Sequence, residues 1–510
     1  MNKQVYTASA VAVFIPTSHY ATLDNSNHLN FLFSIFLDKL NLAFPGLPIY
    51  CTKLPSSISF PKAQILPHTE EKDFLLEVVK DLPESRFPEP DIDEVHLAYF
   101  YGISPLFDLE LYKEMQESHS KYLAQYSYSE NLPPGIVPYI LSREFIHSLP
   151  PILSGTVHEY LLKNLNQFDV EIFYKEPDLR QYRLEFHLPN PRSIQLCYSL
   201  LQLNKDITYS DIFTCLLDNS HLFRSYPSYL ELEIYRSCKA SCSFCPRQSI
   251  DKTKDGSQLN IENIRVLMDT VESGNSELTV CLGGMGEPLL HPELTSICKE
   301  IVTSHKLKEL IIETAFYKNV ENLSDLLSSL DENQKKKCSI IINLNTLSED
   351  KFIELHKAPT TVNKILEKLQ SLKTQFPTVS FHVQMLRMQE NDSEINEYFT
   401  YFEKLKIPVI LQKFNRFLNH LEEKRVTDLT PVKREFCWHL ARELYVQANG
   451  DVSACRQLIE KEVILGNINK ESIMEIWNRN SNTFRHSLKL EHELTGLPCL
   501  SCDEWYTFNA

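Results

Sequence analysis

The chain has 510 residues, too many for one hydrophobic core, so two to four domains are expected. Hydrophobic residues make up 43% and charged residues 23%, which excludes an intrinsically disordered chain. The formal charge of −16 is not offset by any basic stretch, so a nucleic-acid backbone is excluded as the main partner. No apolar run reaches the roughly 18 residues of a membrane helix, which argues against a membrane protein. The N-terminal AVAVFIP is short, and PTSHY follows it in place of a small-residue cleavage site. It therefore reads as a buried strand and not a signal peptide. Thirteen cysteines in such a chain point to a reducing cytoplasm and to metal or cluster chemistry rather than disulfides.

In chain order, AVAVFIP is followed by the amphipathic HLNFLFSIFLDKLNLAF, the strand LPIYCTK, a helix in EEKDFLLEVVKDL and the strand VHLAYFYG. This predicts an α/β unit of Rossmann-like character over residues 1–225. Its YFYGISPLFDLELYKEM, GIVPYILSREFIHSL and RLEFHLPNPRS together resemble a sugar-nucleotide cytidylyltransferase of the spore-coat polysaccharide type. The departures matter. The nucleotide loop of that family is here SHYATLDNSNH, without glycine, and Ile103 stands where the acidic metal ligand is expected. Without those groups nucleotide and magnesium binding lose their basis, so a degenerate, non-catalytic fold is expected over an active transferase.

From about residue 228 to 430 six β-branched strands alternate with amphipathic helices: YLELEIY, ELTVCLG, ELIIET, CSIIINLN, VSFHVQM and IPVILQK. Between the first two, Ile261, Ile264, Leu267, Met268 and Val271 recur at helical spacing. The pattern predicts a parallel α/β sheet with right-handed crossovers. After the first strand comes YRSCKASCSFCPR, a CxxxCxxC of Cys238, Cys242 and Cys245 with Phe244 before the last cysteine. Three thiolates can hold three irons of a cluster and leave the fourth open, which makes a reactive centre; a zinc site or chance grouping is the plain alternative. After the second strand, CLGGMGEPLLHP concentrates three of the chain's 12 glycines, the mark of a turn whose backbone approaches a ligand.

These motifs resemble those of radical S-adenosylmethionine (radical SAM) enzymes. The resemblance implies a partial (β/α)6 barrel over 226–430, a [4Fe–4S] cluster on the three cysteines, and S-adenosylmethionine chelated to the open iron. One-electron cleavage would then give methionine and a 5′-deoxyadenosyl radical that removes a hydrogen atom from substrate. The glycine run is similar to the family's GGEP motif with Met285 inserted, which implies methionine binding by Gly283, Gly284, Gly286 and Glu287. Phe244, Glu313 and Asn345 are implied as further cofactor contacts, with Thr314 and Asn343 beside them at strand ends where ordinary turn residues also occur. Arg387 suits a carboxylate, a substrate or a surface ion pair.

Further on, CWHLARELYVQANGDVSAC runs from Cys437 to Cys455 with Gly450 in a predicted hairpin turn, and CLSC supplies Cys499 and Cys502. The arrangement is similar to SPASM and Twitch extensions, here over 431–510, and its four cysteines allow one auxiliary [4Fe–4S] cluster; zinc is the rival occupant. His439 and Trp438, beside a ligand, read as packing or as hydrogen-bond partners of cluster sulfur. The terminal CDEWYTFNA and LGNINKESIMEIWN resemble a spirochaete-restricted group of radical SAM/SPASM proteins. The implied function is radical modification of a peptide or protein, with flavodoxin or ferredoxin as reductant. The alternatives are modification of a sugar or nucleotide, or a non-catalytic iron–sulfur protein.

Overall fold

The computed structural model describes residues 7–83, 95–249, 255–272, 277–458 and 463–507. They form two compact units, Met1–Leu222 and Phe223–Ala510. In the first, seven strands, β1 (Ala8–Phe14), β2 (Ile49–Cys51), β3 (Ala63–Ile65), β4 (His96–Tyr101), β5 (Tyr126–Ser129), β6 (Tyr139–Ser142) and β7 (Val170–Phe173), make one sheet in the order β3-β2-β1-β4-β6-β5-β7. β6 runs antiparallel to β4 and β5, and the other neighbouring pairs are parallel. β1 is buried from Ala10 to Phe14 on both faces, as expected of a strand covered by helices on each side. The helix Leu29–Ala43 covers the sheet with Leu29, Leu32, Phe33, Phe36 and Leu40. Strand order reverses between β1 and β4, and such a switch point opens a crevice at the strand ends. There SHYATLDNSNH contributes the short helix Thr17–Asp24, and Ile103 is buried in the core.

The second unit carries a nine-stranded sheet ordered β13-β12-β11-β10-β9-β8-β14-β15-β16. Six parallel strands form its first part: β8 (Tyr229–Leu232), β9 (Leu278–Leu282), β10 (Leu307–Thr314), β11 (Cys338–Asn343), β12 (Ser380–Arg387) and β13 (Val409–Lys413). They match the six strands read from the sequence. In the helix Ile261–Glu272, Ile264, Leu267 and Met268 are buried while Ile261 and Val271 sit at the margin of the core. β14 (Glu443–Val446), β15 (Asp451–Ser453) and β16 (Ile464–Asn467) complete the sheet. β14 pairs in parallel with β8, so the C-terminal hairpin continues the same sheet instead of standing apart from it. Gly450 makes the β14–β15 turn at φ +86°, where its missing Cβ also leaves room for Asn469. Arg224 locks the following helix in place: its guanidinium lies 3.4 Å from the Trp477 ring and donates to the carbonyls of Leu440 and Trp477.

Candidate functional site

The C-terminal ends of the parallel strands open onto one cavity of about 410 Å³. Parallel β/α architectures place their chemistry at that end, because there the loops can vary without disturbing the sheet. Cys238, Cys242 and Cys245 line the cavity and are all partly accessible. Burial pushes each thiol upward, and for Cys242 the nearby Cys245 and Cys238 add to the effect, so the three form one electrostatic group. Taking up a metal cluster there must therefore release protons.

Neighbours fix this loop. Tyr317 Oη accepts from Lys239 N at 2.8 Å and lies 3.4 Å from Cys238 Sγ, within reach to donate a hydrogen bond to it. Ser243 N donates to the carbonyl of Leu355 at 2.9 Å, and Cys242 Sγ donates to the carbonyl of His356 at 3.2 Å. His356 is buried and held neutral, its pKa lowered to about 3 by desolvation. Its ring stacks on Phe352 and meets Phe244 edge-on at 5.1 Å, which turns Phe244 toward the cavity wall. No sequence motif marked Tyr317 or His356; both are ordinary loop or helix residues until the fold brings them beside the cysteines.

The glycine loop lines the cavity beside the cysteine loop, Glu287 N donating to the carbonyl of Ser237, the residue before Cys238, at 2.9 Å. Gly284 has φ +89°, and a Cβ there would come 2.8 Å from Glu233 Cβ. Gly286 serves close packing: a Cβ would sit 1.7 Å from the carbonyl oxygen of Tyr235. Gly286→Ala is expected to destabilise the protein by about 3 kcal/mol through overpacking. A thermal melt should show this as a Tm lower by roughly 5–10 °C. The inserted Met285 is buried against Phe417. Glu287 turns its carboxylate inward, accepting from Thr314 Oγ1 (2.7 Å), Ala315 N (2.8 Å) and Leu289 N (3.1 Å). Desolvation raises its pKa to about 7, against the pull of these donors. Glu287 thereby ties the loop to the end of β10.

Asn345 follows β11. Its Oδ1 accepts from Leu386 N at 2.7 Å, while its buried Nδ2 has no hydrogen-bond partner and lies at the cavity wall. A buried donor left open in this way is available to an acceptor from a ligand or a water. Glu313, near the end of β10, lines the cavity and lies 3.4 Å from Arg456 Nη1. Arg456 Nε is also 3.4 Å from Glu231 Oε1 on β8. Burial opposes charge on Arg456, but Glu231 and Glu313 overcome this and keep it cationic. Arg456 thus reaches from the residue after Cys455 to the barrel strands, and Gln457 lines the cavity beside it. Arg387 does not join this group: it pairs with Asp392 at 2.7 Å, more than a third exposed, and is not among the cavity-lining residues.

Cys437 and Cys455 are buried, and Cys499 and Cys502 are partly accessible. Burial raises Cys455 most, followed by the influence of Cys437, Cys502 and Cys499, so the four thiols converge. Arg434 lies against them, donating to the Cys502 carbonyl at 3.1 Å. Both ring nitrogens of His439 are engaged by protein, Nδ1 by Glu443 at 2.7 Å and Nε2 by the Glu504 carbonyl at 3.1 Å. It acts as packing and not as a sulfur contact. Among the described residues no three His, Cys, Asp or Glu side chains close on a point as around a single metal ion. Cys51, Cys197, Cys281, Cys298 and Cys338 are buried, Cys281 beside Tyr229 and the Glu231 and Glu313 carboxylates, and Cys215 is partly accessible. No described helix is long and apolar enough to cross a membrane.

Two family models match the chain: the radical SAM superfamily over residues 232–401, and SPASM, an iron–sulfur cluster-binding domain, over 437–503. An uncharacterised protein of Treponema pallidum (strain Nichols) is 25% identical over 360 residues, covering 69% of this chain and 98% of that protein. Among solved structures, Streptococcus suis SuiB bound to S-adenosylmethionine aligns at TM-score 0.43 and 13% identity, over 59% of this chain and 82% of that one. SuiB bound to the precursor peptide SuiA aligns at TM-score 0.44 and 14% identity, over 69% and 83%.

Proposed function

Starting from a radical SAM enzyme with a SPASM domain, we propose that this chain modifies one side chain of a peptide or protein in the cavity at the barrel mouth. The carrying observation is that this one cavity is lined both by the cysteine and glycine loops and by His439, Arg456, Gln457, Glu504 and Thr507 of the C-terminal segment. A cavity of about 410 Å³ is on the scale of a single small ligand. S-adenosylmethionine takes much of that space, which leaves room for a side chain and keeps the rest of a large substrate outside.

In this reading Cys238, Cys242 and Cys245 hold the [4Fe–4S] cluster that S-adenosylmethionine meets. Cys437, Cys455, Cys499 and Cys502 hold the auxiliary cluster, four thiolates being the number that closes one. Asn345 Nδ2 and the backbone of Gly283 and Gly284 suit the polar groups of S-adenosylmethionine, with Phe244 beside them. Gly286 and Glu287 line the same cavity and also shape the loop. When loaded and reduced by a flavodoxin- or ferredoxin-like donor, the centre supplies the 5′-deoxyadenosyl radical that takes a hydrogen atom from substrate. The chain's own contribution is to position reactants and exclude water. Residues 1–225 are a degenerate nucleotidyltransferase-like domain, supported by the buried Ile103 and the helix in place of a glycine loop.

Tyr317 sets the cluster's electronics by its hydrogen bond to Cys238. Removing one such bond, worth about 1 kcal/mol, should lower the potential by roughly 40 mV for a one-electron couple. A redox titration of Tyr317→Phe followed by electron paramagnetic resonance checks this. The substrate class is tested by anaerobic assay of 5′-deoxyadenosine with fractionated cell extract. The peptide fraction should raise production roughly tenfold over the uncoupled rate, since remote binding energy aligns the reacting carbon. Stimulation by sugar nucleotides and not by peptides would overturn the peptide reading.

A further inference from the structure

The first unit holds its own cavity, about 270 Å³, at the ends of β4, β5 and β6. Its chemistry is one-sided. Tyr99, Tyr101, Tyr139 and His158 supply aromatic faces, and Glu71 and Glu159 supply carboxylates; none of the residues lining it is Lys or Arg. The rings are arranged as neighbours: Tyr99 and Tyr139 lie 6.0 Å apart between centroids, and Tyr139 and His158 5.0 Å. Glu71 is buried at the base, accepting from Tyr99 Oη at 2.7 Å and from Val157 N at 2.9 Å. His187 also lines the cavity, and its buried Nδ1 has no hydrogen-bond partner.

Burial raises Glu71 to about 7, and a bound cation would draw it to its ionised form; together with Glu159 beside it, this lining would repel a phosphate and attract a cation. Desolvation lowers both His158 and His187 to about 4, so neither adds positive charge at neutral pH. The His187 ring spends its N–H on the backbone of Pro134, which leaves Nδ1 as an acceptor. Aromatic faces around an acidic base are the chemistry that recognises organic ammonium groups. We propose that this cavity binds an organic ammonium group, a free or methylated amine, with the Tyr101 and Tyr139 rings as its walls and Glu71 and Glu159 as its counter-charges. The unit has thus exchanged the requirements of an anionic nucleotide for those of a cation.

The test is titration of the full-length protein with tetramethylammonium chloride, read by ligand-observed NMR against sodium chloride at equal ionic strength. Saturable binding is expected, weakened about tenfold in Tyr101→Leu and again in Glu71→Gln. Thermal melts and unchanged S-adenosylmethionine cleavage establish that each variant is folded. Should the buried Glu71→Gln unfold the protein, Tyr101→Leu decides alone. No saturable binding to the folded wild type, or equal binding by folded Tyr101→Leu, overturns the proposal. So does binding of magnesium–cytidine triphosphate that Tyr101→Leu abolishes.

Discussion

Replacing Cys242 by alanine is expected to lower reductive cleavage of S-adenosylmethionine at least roughly a thousandfold, about 4 kcal/mol in barrier terms. The size of the effect follows from the ligand count. Three cysteines leave no reserve, so losing one removes the means of holding the cluster and of presenting its open iron. The fold should survive, because Cys242 is partly accessible and the hydrogen bond its thiol makes goes to the His356 carbonyl at a loop. The measurement is 5′-deoxyadenosine by mass spectrometry on anaerobically reconstituted protein, with iron counted in parallel. Iron should fall by about half, since the C-terminal cysteines retain their own cluster. Cleavage at the wild-type rate in this variant would remove the cysteine loop from the mechanism.

Arg456→Met should be the most destabilising exchange of a single charged side chain in the second unit. Arg456 is the cation facing Glu231 and Glu313, and both carboxylates are held on barrel strands that cannot move away. Removing one partner of a buried charge group typically costs about 3–5 kcal/mol, because the remaining charge stays desolvated. A Tm roughly 10 °C lower is the expected reading by calorimetry. The deficit should depend on pH in a fixed direction. Glu231 already titrates high, to about 7, through burial and its carboxylate neighbours, with Arg456 as the opposing influence. Without Arg456 its pKa rises further. A carboxyl raised above its unfolded value of about 4.3 favours the folded state at low pH and loses that advantage as pH rises through the folded pKa. The variant should therefore recover stability between pH 8 and pH 6. A variant as stable as wild type at pH 8 would show that the three groups are not a coupled unit.

The six barrel strands were legible because parallel strands buried on both faces leave continuous β-branched runs, as in CSIIINLN. The cysteine spacing and the glycine cluster were legible because each is a local pattern imposed by what it must approach. Contacts made by single side chains across the fold were not. Tyr317 is in a loop after β10 with no motif around it, and Arg456 is marked only by following a cysteine. Gly286 was legible as part of a ligand-facing loop, but not the second demand on it, the Tyr235 backbone packed where a Cβ would stand. Arg387 had the right chemistry at a strand end, but Asp392, five residues on, claims it. In the first unit the helical and strand periods were clear, yet the reversal of β6 leaves no trace in a hydrophobic pattern. The acidic, aromatic cavity escaped for a different reason: its walls come from five separated segments.

The pairing of β14 with β8 makes the C-terminal segment part of the barrel's own architecture. Ser228 and Arg442, 214 residues apart, are hydrogen-bonded at the start of that ladder. During synthesis the first barrel strand therefore emerges with one edge open and stays so until β14, more than 200 residues later, has been made. An open edge of that kind invites pairing with another molecule. Long-range closure of this sort is also slow. The protein's vulnerable period thus lies between the birth of its first cysteine loop and the arrival of its last strands. A truncated form lacking the extension would be a sticky, unfinished sheet and not a simpler enzyme.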